Sequence, residues 1–121
     1  MPVRSLSSSV LRWPDGPTVR EAARRWASAL LSGQPEVVRV GYFGSYASGD
    51  HGVGSDLDLV VVLRSCAEPF ERRAALIETA GIPVPADVMV YTREEFERVL
   101  GRGDRWATEL RTRTVWFERV G

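Results

Sequence analysis

The sequence contains no lysine and no asparagine; all 16 basic residues are arginine, and Gln34 is the one glutamine. Scarce amides suit a heat-stable chain, since amides are thermolabile. A GC-rich codon supply gives the same arginine bias, so composition does not separate the two. Cys66 stands alone, which excludes an internal disulfide and fits a reducing compartment. No apolar run reaches the length of a transmembrane helix: the longest, Leu57 to Leu63, is interrupted by Asp58. Met1 to Ser9 lacks the hydrophobic region of a secretory signal. A cytoplasmic protein with no membrane association is the expectation. Charge of either sign is not in excess, because 16 acidic residues balance the arginines. Direct nucleic-acid binding through bulk electrostatics is therefore not predicted.

What is present suits one globular domain over residues 1–121, with 44% hydrophobic and 26% charged residues. Thr18 and Glu21 form a capping-box pattern after Pro17. Val19, Ala22, Ala23, Trp26, Ala27 and Leu30 follow at helical spacing until Gly33 and Pro35. The stripe Arg20, Arg24, Arg25 reads as a solvated helix face. Val10 to Trp13 fits either a short strand or a packed arm. Val37 to Phe43 is β-rich, Tyr46 to Ser48 a short helical turn, and Asp56 to Leu63 a strand buried on both faces. A helix is predicted over Pro69 to Ala80 and a strand over Val84 to Tyr91. Thr92 and Glu95 repeat the capping box before another helix, and Asp104 caps one more. Thr114 to Phe117 is expected as a last edge strand. This order implies a small α/β fold, a mixed β-sheet with flanking helices.

The chemistry is concentrated in one run. Gly44-Ser45 closes a strand, ten residues intervene, and Asp56-Leu57-Asp58 opens the next strand. A Gly-Ser turn offers backbone N–H groups and a hydroxyl to a phosphate. Aspartates two apart on a strand face the same way. Asp87 interrupts an otherwise apolar strand, where a carboxylate is costly unless it is paired or holds a metal. If the two strands are neighbours, Asp56, Asp58 and Asp87 converge as oxygen ligands for Mg²⁺ beside a triphosphate. His51 is expected as an exposed loop residue, and Cys66 as an inert one.

This arrangement resembles the polymerase-beta-like nucleotidyltransferase superfamily. With Gly44, Ser45, Ala47, Gly49, Ser55, Asp56, Asp58 and Asp87 in step, it looks most like the minimal nucleotidyltransferase (MNT) family. The resemblance implies a mixed sheet with the acids on neighbouring strands. It also implies transfer of AMP from ATP with one or two Mg²⁺ ions. Asp56 and Asp58 would bind metal; Asp87 would bind the catalytic metal and help to deprotonate the attacking hydroxyl. Gly44 and Ser45, supported by Ser55, would hold the β- and γ-phosphates. The family further implies a helical HEPN-type toxin as acceptor and partner, with the chain as its antitoxin. The acceptor half of the site is expected from that partner or from a second copy of the chain, a homo-oligomer.

Two positions depart from the family pattern. Many members carry arginine two and four residues after the glycine, where this chain has Tyr46 and Ser48. Two charge-assisted contacts to a triphosphate are thereby missing. Two alternatives follow: a catalytically weak or inactive module that neutralises a partner sterically, and a small-molecule, antibiotic-type nucleotidyltransferase acting as a dimer.

Overall fold

The computed structural model describes residues 13–119. Of the segment Val10 to Trp13, only Trp13 lies within that range. Helix α1 spans Gly16–Gly33, strand β1 Val37–Phe43 and the short helix α2 Ser45–Ser48. Strand β2 spans Leu57–Leu63; α3, Phe70–Arg73, continues as a 3₁₀ turn over Ala74–Leu76. Strand β3 (Ala86–Thr92), helices α4 (Arg93–Gly101) and α5 (Arg105–Thr112) and strand β4 (Val115–Glu118) follow.

The strands form one sheet in the order β3-β2-β1-β4. Strand β1 runs antiparallel to both β2 and β4, while β2 and β3 are parallel. The expected mixed α/β sheet is therefore present, with β4 at its edge. Helices cover both faces. Ala27, Leu30 and Leu31 of α1 pack on Val40, Val61, Leu63 and Val90. On the opposite face, Phe96, Val99 and Leu110 of α4 and α5 pack on Val60 and Val62. The run Leu59 to Leu63 is buried throughout, as its unbroken apolar sequence requires of a strand covered on both sides. Among the described residues no helix is long and apolar enough to cross a membrane.

Local chemistry sets most boundaries. The cap of α1 is Asp15 rather than Thr18: the Asp15 carboxylate accepts from the Thr18 amide at 2.9 Å. Gly16 and Pro17 thus enter the first turn, where a missing proline N–H leaves no bond unmade. Glu21 pairs instead with Arg24 and Arg25. The Thr92–Glu95 capping box is present as expected, and Asp104 caps α5 through the Ala107 amide. Strand β2 begins at Leu57, so Asp56 stands just ahead of it. Strand β3 begins at Ala86, because Pro83 and Pro85 have no N–H for a ladder; the Pro85 carbonyl accepts from the Leu57 amide at 2.9 Å.

The helix expected over Pro69 to Ala80 is a correction. Only Phe70–Arg73 is α-helical, and Phe70 and Leu76 are exposed. The α-helical part ends at Arg73, which is 5% exposed. Its guanidinium donates to the carbonyls of Glu68 and Val90 and to both Glu95 carboxylate oxygens, at 2.6 and 3.2 Å. A buried guanidinium demands acceptors on every side, and here they come from Glu68, from β3 and from the start of α4. The Glu78 carbonyl, for its part, accepts from the Trp26 indole at 2.7 Å.

Glu95 also accepts from the Thr92 amide, and the Arg73 hydrogen bond is the main force holding its carboxyl down, from 4.5 to about 2. A depressed carboxyl adds stability that is present above its unfolded value and is lost as pH falls through the folded value. Urea unfolding of Glu95→Ala at neutral pH is expected to show a loss of about 3 kcal/mol, since Arg73 is left buried and unpaired. The gap to the native chain should shrink as pH drops from 4.5 toward about 2. A gap unchanged by acid would contradict the pairing.

Candidate active site

The antiparallel β1–β2 pair is joined by the Gly-Ser turn and its loop, so the end of β1 and the start of β2 lie together at one end of the sheet. Gly44 caps α2 with φ +76°, a conformation that side-chain-bearing residues rarely adopt. The turn begins with the Ala47 and Ser48 amides donating to the Gly44 carbonyl, and Gly49 closes it at φ +89°. The amides of Ser45 and Tyr46, at the head of the turn, have no preceding helical carbonyl to meet. A Cβ at Gly44 would run into Asp58 Oδ2. The glycine is thus required twice, for its backbone angle and for the close approach of the carboxylate.

Strand register assembles the acids. Asp58 lies opposite Phe43 on one side and opposite Asp87 on the other, across the parallel β2–β3 pair. The two carboxylates therefore belong to adjacent strands at the same level. Asp56 stands two residues ahead, outside the strand. Asp58 is half-buried, whereas Asp56 and Asp87 are exposed. Burial raises the Asp58 carboxyl above the ordinary range, and the negative charges of Asp87, Asp56 and Glu109 add to that. Among the described residues, no three His, Cys, Asp or Glu side chains form a closed metal-binding group. The acids lie at the same end of two adjacent strands without closing on one point, as mutually repelling carboxylates do.

The donor set suits a hard divalent cation. It is all oxygen, it is open to solvent on one side, and its central carboxylate is electrostatically disfavoured as it stands. Asp58, Asp87 and Asp56 are the residues that would hold Mg²⁺. Two grooves lie elsewhere, one along Phe70, Tyr91 and Arg98, the other along Trp26 and Glu78.

Several residues have surroundings that the sequence did not reveal. The Ser55 hydroxyl accepts from the Gly52 amide at 2.8 Å and so closes the loop ahead of Asp56. Tyr46 is 1% exposed and points into the core, while Ser48 is exposed and reaches Asp50. His51, expected to be exposed, is half-buried and stacks on Tyr46, with ring centroids 4.6 Å apart. Glu109 was missed altogether. Trp106 packs edge-on against Phe43 at 5.0 Å, and Phe43 is the cross-strand neighbour of Asp58. Glu109 lies three residues after Trp106 on the same helix, so the signal was the helical period carried from an apolar position to an acidic one.

An acid whose carboxyl is raised on folding opposes folding fully above the raised value and not at all below its unfolded value of 3.8. Asp58→Asn in metal-free buffer should therefore unfold at a higher temperature than the native chain near neutral pH, by roughly 2–4 °C. The advantage should vanish as the medium is acidified toward 3.8. Calorimetry that finds Asp58→Asn less stable at neutral pH would contradict this account of the site.

Comparison with known proteins gives three findings. The family model for a nucleotidyltransferase domain matches residues 23–111. A candidate nucleotidyltransferase from Sulfolobus solfataricus has a similar structure, with a TM-score of 0.61 and 24% identity over 86% of this chain and 84% of that one. A toxin–antitoxin structure with AMP-PNP is a more distant likeness, with a TM-score of 0.48 and 16% identity over 85% of this chain and 72% of that one. No curated protein matches the sequence.

Proposed function

Because this chain belongs to the nucleotidyltransferase domain family, we propose that it moves AMP from Mg²⁺-bound ATP to a hydroxyl acceptor. The observation that carries this reading is the register of Asp58 with Asp87, with Gly44 packed against the Asp58 carboxylate. Support comes from the contact of the Gly44 turn with Asp58 and from Asp87 standing opposite Asp58 on the next strand.

The roles follow from position. Gly44 and Ser45 receive the β- and γ-phosphates on the amides at the head of the turn. Ser55 supports them through the loop that it closes. Asp56, Asp58 and Asp87 would hold one or two Mg²⁺ ions. Bound there, Mg²⁺ would neutralise the triphosphate and stabilise the charge developing on the leaving oxygens. Asp87, exposed at the start of β3, takes the proton of the attacking hydroxyl. The acceptor oxygen bonds to the α-phosphorus, the bond from that phosphorus to the bridging oxygen breaks, and pyrophosphate leaves. In-line positioning of the two oxygens supplies much of the remaining rate.

The acceptor we propose is a hydroxyl on a partner protein, a helical HEPN-type toxin that this chain neutralises as an antitoxin. Support comes from the resemblance of the Gly44–Asp58 run to the MNT family. The open surface around Asp56 and Asp87 adds to it, because it leaves room for a macromolecular acceptor. A steric mode of neutralisation has one observation in its favour: Tyr46 is buried and Ser48 bonds to Asp50, so neither position brings positive charge to the turn.

The test uses ATP labelled at the α-phosphate, Mg²⁺, the chain and a HEPN-type protein encoded beside it. Label should pass to the partner and should fall by about a hundredfold or more in Asp58→Asn and in Asp87→Asn. Undiminished transfer in either variant would refute the assignment. Full neutralisation without any label transfer by the native chain would establish the steric mode instead.

A further inference from the structure

The loop between the phosphate turn and the acids has little to hold it. Gly49, Gly52 and Gly54 punctuate it, two of them at positive φ, and a Cβ on any of the three would meet nothing within 4 Å. With no side chains at these three positions to pack, the order of the segment has to come from specific contacts elsewhere in it. Those contacts centre on Tyr46. This residue follows Ser45 in the turn and is 1% exposed. Its hydroxyl accepts from the Trp13 indole at 3.2 Å and donates to the Ser55 carbonyl at 3.4 Å.

The direction of these bonds matters. The Trp13 N–H occupies a lone pair of the Tyr46 oxygen, so the phenolic proton is free for Ser55. The Ser55 carbonyl belongs to the same peptide unit as the Asp56 nitrogen; one hydroxyl thus holds the peptide plane that leads into Asp56. The ring of Tyr46 carries a second load, the stacked His51 in the middle of the loop. His51 occupies the place where a Cβ at Gly16 would fall, so the start of α1 closes the back of the stack. Ser55 and Gly52 complete the clamp through the Gly52 amide on the Ser55 hydroxyl and the Ser55 amide on the Gly52 carbonyl.

We infer that Tyr46 is a positioning residue that fixes the backbone of Asp56 relative to the Gly44–Ser45 turn, so that the acids meet their cation in one geometry. The inference rests on the nucleotidyl-transfer reading above. It explains how a glycine-punctuated loop delivers a metal ligand, and it gives Tyr46 a role that needs no contact with phosphate.

Tyr46→Phe keeps the ring and its stack and removes only the hydroxyl. Amide exchange over residues 51–56 should become about tenfold faster, with β1 and β4 unchanged. Mn²⁺ affinity, read by electron paramagnetic resonance with ATP present, should weaken about tenfold, as for other groups that orient a metal ligand. His51→Ala should reproduce both changes in part. Native Mn²⁺ affinity in Tyr46→Phe overturns the inference, and so does a uniform rise in exchange across the whole sheet, which would mark a role in the core alone. A native chain that binds no Mn²⁺ refutes the nucleotidyl-transfer reading instead, and the loop exchange then decides whether Tyr46 anchors the segment.

Discussion

Strand β2 is paired on both edges and covered on both faces, and Asp58 is the one residue of Leu57–Leu63 that is not buried. A central strand of this kind cannot slip: a shift of one residue would exchange its two apolar faces and turn Asp58 inward. Antiparallel pairing with β1 and parallel pairing with β3 fix its level on either side. From that restraint the rest of the site follows. Phe43 and the Gly44 turn fall on one flank of Asp58 and Asp87 on the other. The α5 helix, seated on Phe43 through Trp106, brings Glu109 to the same region.

The closely packed part of the molecule thus ends where the proposed site begins. Below Asp58, the side chains of β2 are locked between α1 and the α4–α5 layer. Above it lie a four-residue helix, a glycine-punctuated loop and two exposed acids. Half-buried Asp58 is the junction. Its carboxyl is raised by burial first and by the neighbouring negative charges second, and a bound divalent cation would offset both. Functional sites commonly retain such local conflict against the demands of stability.

How much of this is legible in the sequence depends on the range of the forces involved. Strand β1 emerges with its bounds intact, because Val37 to Phe43 is uniformly β-rich and Gly44 ends it. The residues alone leave the adjacency of Asp58 and Asp87 conditional on their strands being neighbours; the family resemblance implies it, and the strand register shows it. Arg73 is different: the sequence places it only somewhere within the helix expected over Pro69 to Ala80, and its distant acceptors at Val90 and Glu95 reveal that it is buried. Asp15 outcompetes Thr18 as a cap because Pro17 fits the first turn, a local choice between two adequate patterns. Tyr46 looked like a lost phosphate ligand, since its partners Trp13, His51 and Ser55 are recognised only when the chain is folded. Glu109 shows the same limit, since its relation to Asp58 passes through Trp106 and Phe43.

The central claim is that Asp58 and Asp87 serve one cation together. A double-mutant cycle on Mn²⁺ affinity in the presence of ATP tests it most directly, using Asp58→Asn, Asp87→Asn and the double variant. Two ligands of a shared ion should behave as a unit, so the double variant should bind little more weakly than the worse of the two single variants. Losses that simply add would mean that the two carboxylates act independently, and the account of the site built on their register would fall.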